Sequence, residues 1–225
     1  MSIRTIFPAS VLWWISTVVS ANELTPAQQE QWLNSKTPAE ESQKISGRAL
    51  SFLSATKHMK VMHSENRIMV SESSLTDGWV SLSQCYHQLD AFPRVEVVYQ
   101  YRQMRKLQVV SQKGISKAQV EGQSVQLEHV SKNASLCIRA EVQILTKEKN
   151  GYYLKNGPFR KKFLDGYFPM RVTVHIDYPP KLLSVNSTEP QAQMHFVVKQ
   201  KPGSITLHGI FEGELNTQVV FSRAQ

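Results

Sequence analysis

A mostly β protein is predicted by three features of the sequence. Beyond residue 57, apolar and polar residues alternate with a period of two, and turn dipeptides punctuate the alternation at short intervals. Helix-start phrases occur only near the beginning of the chain. Alternation of period two describes a strand with one buried and one wet face. Short half-buried strands joined by tight turns build antiparallel sheets. The expected architecture is an antiparallel β-sandwich or open barrel of about ten strands, with one or two N-terminal helices.

The first residues read MSIRTIFPASVLWWISTVVSANELTPA. Arg4 precedes an apolar run from Ile6 to Val19, shorter than the roughly 20 residues a membrane-spanning helix needs. Val19-Ser20-Ala21 then offers the small residues that a signal peptidase reads. Residues 1–21 are therefore expected to be a secretory signal peptide, with an uncleaved anchor as the alternative. No second long hydrophobic stretch occurs in the sequence. No transmembrane segment is expected after signal removal, and the expected location is periplasmic or secreted.

Two similar phrases follow, Thr25-Pro26-Ala27-Gln28 and Thr37-Pro38-Ala39-Glu40. Each places Thr at an N-cap, Pro at the first helical position and Gln or Glu where it can reach back to the cap amide. They predict a short helix from Pro26 to Leu33 and a longer one from Pro38 to about Ala55, whose apolar stripe is Ile45, Ala49, Phe52 and Leu53. Residues 22–56 thus read as a helical leader and residues 57–225 as a single β-sandwich-like domain.

The stretch Lys57–His63, KHMKVMH, holds two histidines and two methionines. As a helix it would stack His58 on Met62 and suit a soft metal such as copper. As a strand it sends His58 and His63 to opposite faces, and no single ion could be held. The strand reading is preferred. Ser64-Glu65-Asn66-Arg67 then reads as a turn, with Met59–Val61 facing Ile68–Val70 in a hairpin.

Trp79–His87 alternates Val80, Leu82 and Tyr86 against Ser81, Ser83 and Cys85. Val95, Val97, Tyr99 and Tyr101 alternate less cleanly, as do Val125 and Leu127. Leu136, Ile138, Ala140, Val142 and Ile144 form a clean inward set, and so do Val172, Val174, Ile176 and Tyr178. Lys113-Gly114, Glu121-Gly122, Asn150-Gly151, Asn156-Gly157, Asp165-Gly166, Pro179-Pro180 and Pro202-Gly203 are the expected turns. Cys85 and Cys137 both fall on outward positions. In an oxidising compartment they are expected to form a cross-strand disulfide on an outer sheet face.

Charge is unevenly distributed. Residues 94–171 hold fifteen Lys/Arg against six Asp/Glu, whereas residues 22–93 hold six against eight and residues 172–225 four against four. A basic exported chain is expected to meet an anionic or protein partner rather than nucleic acid: an envelope protein, an anionic glycan or a lipid headgroup. Residues 147–169, KEKNGYYLKNGPFRKKFLDGYFP, concentrate cationic and aromatic groups, a mixture suited to such partners. The expected partner-binding residues are Arg160, Lys161, Lys162, Phe159, Tyr152 and Tyr153. The alternative is a hairpin whose rings anchor it to the core while its cations stay wet.

Enzymatic signatures are sparse. Ser54-Ala55-Thr56-Lys57 fits S-x-x-K, but the companion motifs S-D-N and K-T-G do not occur. An envelope hydrolase would have to draw on His87, Asp90, Asp165, His175 and Asp177 converging in one cleft. No catalytic residue, metal site or cofactor is assigned. The sequence therefore predicts an exported, non-catalytic accessory or binding protein. An envelope hydrolase and a copper-handling protein using the stretch 58–63 stand as alternatives.

Overall fold

The computed structural model describes residues 49–54, 60–163 and 166–224. The expected signal peptide, both helix starts, His58, Met59 and Asp165 lie outside the described residues. Those described belong to one compact unit, Glu41–Gln225.

Two sheets carry the fold. Strands β1 (Ser51–Phe52), β2 (His63–Met69), β3 (Trp79–Leu89), β4 (Phe92–Val98), β5 (Met104–Glu121) and β6 (Ser124–Gln143) belong to the larger one. It is completed by β11 (Met170–Asp177), β13 (Phe196–Lys201) and β14 (Ser204–Glu212). Its order is β1-β14-β11-β2-β3-β6-β4, with β13 also paired to β14 and β5 to β6. The smaller sheet runs β12-β15-β8-β7, from β7 (Leu145–Glu148), β8 (Gly151–Phe159), β12 (Leu183–Glu189) and β15 (Leu215–Arg223). A separate ribbon pairs β9 (Lys161–Phe163) with β10 (Gly166–Phe168).

The alternation read from the sequence places the core correctly. Leu136, Ile138, Ala140 and Val142 on β6 are buried, as are Val172, Val174 and Ile176 on β11. All of these but Ala140 belong to one hydrophobic cluster with Leu154, Val219 and Phe221 of the smaller sheet. Among the described residues, pairing is antiparallel with one exception: β2 and β11 run parallel. A parallel neighbour cannot follow a tight turn, and here most of the intervening sheet is built between the two strands.

Four local expectations are corrected. Ser64-Glu65-Asn66-Arg67 is not a turn but the middle of β2, hydrogen-bonded to β3 on one side and β11 on the other. Phe52 ends no helix. It pairs with Phe211 of β14, and its ring lies 4.7 Å from that of Phe196. Lys113-Gly114 is a bulge inside β5, where the register shifts between Lys113 and Ile115 and Gly114 takes φ 68°. Asn156-Gly157 lies inside β8. A Cβ on Gly157 would come within 2.9 Å of the Leu215 carbonyl oxygen, so glycine lets β8 approach β15 closely. A short helix that the sequence reading passed over, α1 (Ser74–Asp77), closes on Gly78 in the left-handed conformation.

The cysteines pair as expected. Cys85 on β3 and Cys137 on β6 are direct register partners with Cα atoms 4.1 Å apart, and they form a disulfide.

Candidate functional site

The six residues expected to contact a partner are divided by the fold. Tyr152 and Phe159 point inward from β8 and join the core. Both rings therefore anchor the segment; that of Tyr152 is withdrawn from a surface contact, while that of Phe159 also lines a cleft. Tyr153 projects from the opposite face of β8 and is half-buried. Arg160 donates to Glu214 at 2.7 Å, and Lys161 meets Asp90 at 2.5 Å and lies 6.0 Å from the ring centroid of Phe168. Lys162 is exposed. The cationic run thus stays at the surface, with two of its three charges drawn toward carboxylates.

Arg160, Lys161 and Lys162 also form part of the rim of a cleft of about 430 Å3. The cleft opens where the end of β8 faces β2, β3 and β4. Apolar walls come from Met62, Leu89, Val95, Val97, Phe159 and Met170. Polar groups lie deeper. Ser64 and Gln84 line the cleft and are buried, and Gln84 Nε2 donates to Ser64 Oγ at 3.0 Å. Asn66 Nδ2 donates to the same oxygen at 3.1 Å. The two amide oxygens, Gln84 Oε1 and Asn66 Oδ1, then have no hydrogen-bond partner. A buried acceptor left unpaired costs about 1–3 kcal/mol.

Three tyrosines close this end of the cleft. Tyr101 donates to Asn156 Oδ1 at 2.7 Å, and its ring stacks on that of Tyr99 at 6.5 Å. The Tyr99 hydroxyl lies close to that of Tyr86 without closing a well-aligned hydrogen bond. Burial, more than any neighbour, pushes all three phenols up and keeps them protonated. The Tyr86 and Tyr99 hydroxyls and the Gln84 amide oxygen, all in the lining of the cleft, can hold a ligand through neutral hydrogen bonds, with the cationic groups kept at the rim.

A second constellation occupies the outer face of the larger sheet. His63 on β2 lies directly opposite His87 on β3, with ring centroids 6.0 Å apart. Thr173 Oγ1 lies 2.8 Å from His63 Nε2 and 2.8 Å from His208 Nδ1, so the hydroxyl donates to one ring and accepts from the N–H of the other. Glu65 stands 3.8 Å from both His87 and His175, and His175 Nδ1 is 2.9 Å from Thr206 Oγ1. His63, His87 and His175 stand far apart in the sequence. Their shared face depends on the β3-β2-β11-β14 order, which no local pattern encodes. Among the described residues, no group of three His, Cys, Asp or Glu could hold a metal ion. Met62 faces the cleft while the next residue, His63, faces out, so within the stretch 58–63 these two diverge.

The His63 imidazole is pulled down to about 4, first by burial and then by the Arg171 charge, with His87 and His208 adding and Glu65 opposing. His208 is lowered by burial and by Arg171, Lys199 and His175. A ring held neutral in the folded chain binds its proton more readily in the unfolded one. Stability is then present above about pH 6.5 and is lost as pH falls toward 4. Allowing for partial exposure, His63 is expected to account for a loss of about 1–2 kcal/mol between pH 7 and 5. Thermal unfolding of the wild type and His63→Gln across that range checks this. The wild-type midpoint should fall more steeply, and equal slopes would reject His63 as the titrating group.

Of the residues considered for hydrolysis, the four that are described form no His–Asp pair among the ion pairs of the described residues. Asp90 faces Lys161, Asp177 lies 3.9 Å from Arg67, and His87 and His175 each approach Glu65 rather than an aspartate.

Fold and site together define a two-sheet, mostly β protein with a cation-rimmed cleft between its sheets. No protein-family model matches the chain. No curated protein matches it either. Among solved structures it is similar to an M1 zinc metallopeptidase from Deinococcus radiodurans, at 11% identity and TM-score 0.37, over 71% of this chain and 41% of that one. A mutant of an M1 zinc metallopeptidase from the same organism, bound to a Tyr-Ser-Ala substrate, gives 10% identity and TM-score 0.37, over 71% and 42%. The chain therefore spans less than half the length of these structures.

Proposed function

We propose that the protein is an exported, non-catalytic binding protein that takes an anionic component of the cell envelope at the mouth of the inter-sheet cleft. The observation supporting this reading is the position of Arg160, Lys161 and Lys162 on the rim of a concave surface that also holds unpaired buried acceptors. The excess of fifteen basic over six acidic residues in 94–171 adds a wider attractive field. The signal-like N-terminus supports export. Glu214 and Asp90 restrain two of the rim cations in the free protein, and an incoming anion competes with those carboxylates rather than meeting bare charge.

Affinity capture from the native envelope at low and then high salt tests the proposal. Exposed charge contacts weaken with ionic strength, so the partner should be released by salt. Reversing Arg160, Lys161 and Lys162 to Glu should abolish capture. The reversal sets new carboxylates against Glu214 and Asp90, so a thermal-unfolding control belongs with it. A retained partner on a folded reversal variant would exclude this rim.

A further inference from the structure

We infer that the cleft is the binding pocket for a single-chain anionic amphiphile whose apolar body carries a hydrogen-bond donor. The inference rests on the reading above, that the basic rim receives an anion, and adds what lies behind the anion. The volume of about 430 Å3 falls in the range of about 300–1,000 Å3 that encloses small organic ligands. Met62, Val95, Val97 and Met170 offer apolar contact to a chain, alongside Glu96 and Gln100 of the same lining, and methionines adapt their shape to such a guest. Arg160, Lys161 and Lys162 stand at the opening, where a carboxylate or phosphate would remain partly solvated.

The interior explains the second requirement. Gln84 is 3% exposed, and its Nε2 is committed to Ser64. Its Oε1 has no partner and needs a donor. Tyr99 is 6% exposed, with a hydroxyl that lacks an aligned partner. A purely hydrocarbon chain would leave both groups buried and unpaired, which is unfavourable. A hydroxyl or amide on the chain satisfies Gln84 Oε1 by donating to it. β2 has the composition this pocket demands. Its inward residue Ser64, which lines the cleft, is polar where an ordinary sandwich strand would be apolar, and apolar character returns at Ile68, outside the cleft.

The experiment is calorimetric titration of the full exported chain with dodecanoate, dodecyl phosphate, dodecanol and ω-hydroxydodecanoate, each below its micellar concentration. One-to-one binding of the two anions is expected, with dodecanol weaker by about tenfold. The order of carboxylate and phosphate identifies the head group. ω-Hydroxydodecanoate should bind about three- to tenfold more tightly than dodecanoate, and Gln84→Leu should erase that preference. Val97→Trp should fill the cleft and remove binding of every probe. Methyl signals of the methionines give a readout that does not depend on that variant. Ligand should shift Met62 and Met170 and leave the exposed Met69 and Met194 unmoved.

Absence of binding by all four probes overturns the inference, as does wild-type binding in a folded Val97→Trp. If no probe binds but salt-sensitive envelope capture persists, the pocket is rejected and the function proposed above survives. If the probes bind the Arg160, Lys161 and Lys162 reversal as tightly as the wild type, the rim assignment is rejected and an apolar pocket remains.

Discussion

Phe221→Ala is expected to cost about 3–5 kcal/mol, the range for removing a fully buried aromatic ring. Phe221 has no solvent exposure and sits on β15 between Val185 of β12 and Tyr152 of β8. Its ring lies 5.1 Å from that of Tyr178, which directly follows β11 of the other sheet. One side chain therefore holds three strands of the smaller sheet against the larger. The neighbouring backbone cannot collapse to fill the space, because β8 and β12 are already tied to β15 by their ladders. Domains are stable by only about 5–15 kcal/mol, and at this size about 1 kcal/mol moves the melting temperature by 2–4 °C. A drop of about 10 °C or more is the expected readout in thermal unfolding. A drop of less than about 3 °C would mean that the two sheets do not rely on this contact.

Reducing the disulfide should be nearly as severe. Cys85 and Cys137 are 52 residues apart in sequence, and closing a loop of that size restrains the unfolded chain by about 2–4 kcal/mol. The bond also joins β3 to β6 at a position where the strands are direct partners, so little native geometry changes when it opens. The effect is therefore expected in the unfolded ensemble. Cys85→Ala with Cys137→Ala should lower the urea midpoint without altering the strand content seen by far-ultraviolet circular dichroism. The wild type in reductant should match that variant. A midpoint independent of reductant would show that the link contributes nothing measurable.

Regular alternation made the central strands readable. The run from Leu136 to Val142 and the run from Val172 to Ile176 have buried partners on both sides, so every second residue is apolar without exception. The alternation fails at Ser64-Glu65-Asn66-Arg67, where the inward residues are as polar as the outward ones. A polar interior and a turn leave the same trace in sequence, and only the ladders to β3 and β11 separate them. Phe52 fits a helical stripe with Ile45 and Ala49, yet Phe211 and Phe196, far along the chain, decide its conformation. Glycine misled twice for a related reason. At Gly114 and Gly157 it serves a bulge and a close strand approach, and neither reverses the chain.

The candidate site was legible as charge and illegible as shape. The cluster of Arg160, Lys161 and Lys162 is plain in the sequence. Their carboxylate partners Glu214 and Asp90 are not, because both are brought there by tertiary packing. The inward turn of Tyr152 and Phe159 follows from the parity of β8 and could have been read from it. Gln84 carried the missed signal: an amide at an inward position between Leu82 and Tyr86 of an otherwise ordinary strand.

The parallel seam between β2 and β11 sets the order in which the molecule can be assembled. Contacts across it join residues as far as 110 positions apart, as between His63 and Thr173. As the chain is made, β2 can pair with β3 early, but its other edge stays open until β11, in the final quarter of the sequence, is available. Such distant closure makes folding slow and leaves an adhesive strand edge exposed in the meantime. Truncation before residue 170 would make that transient exposure permanent.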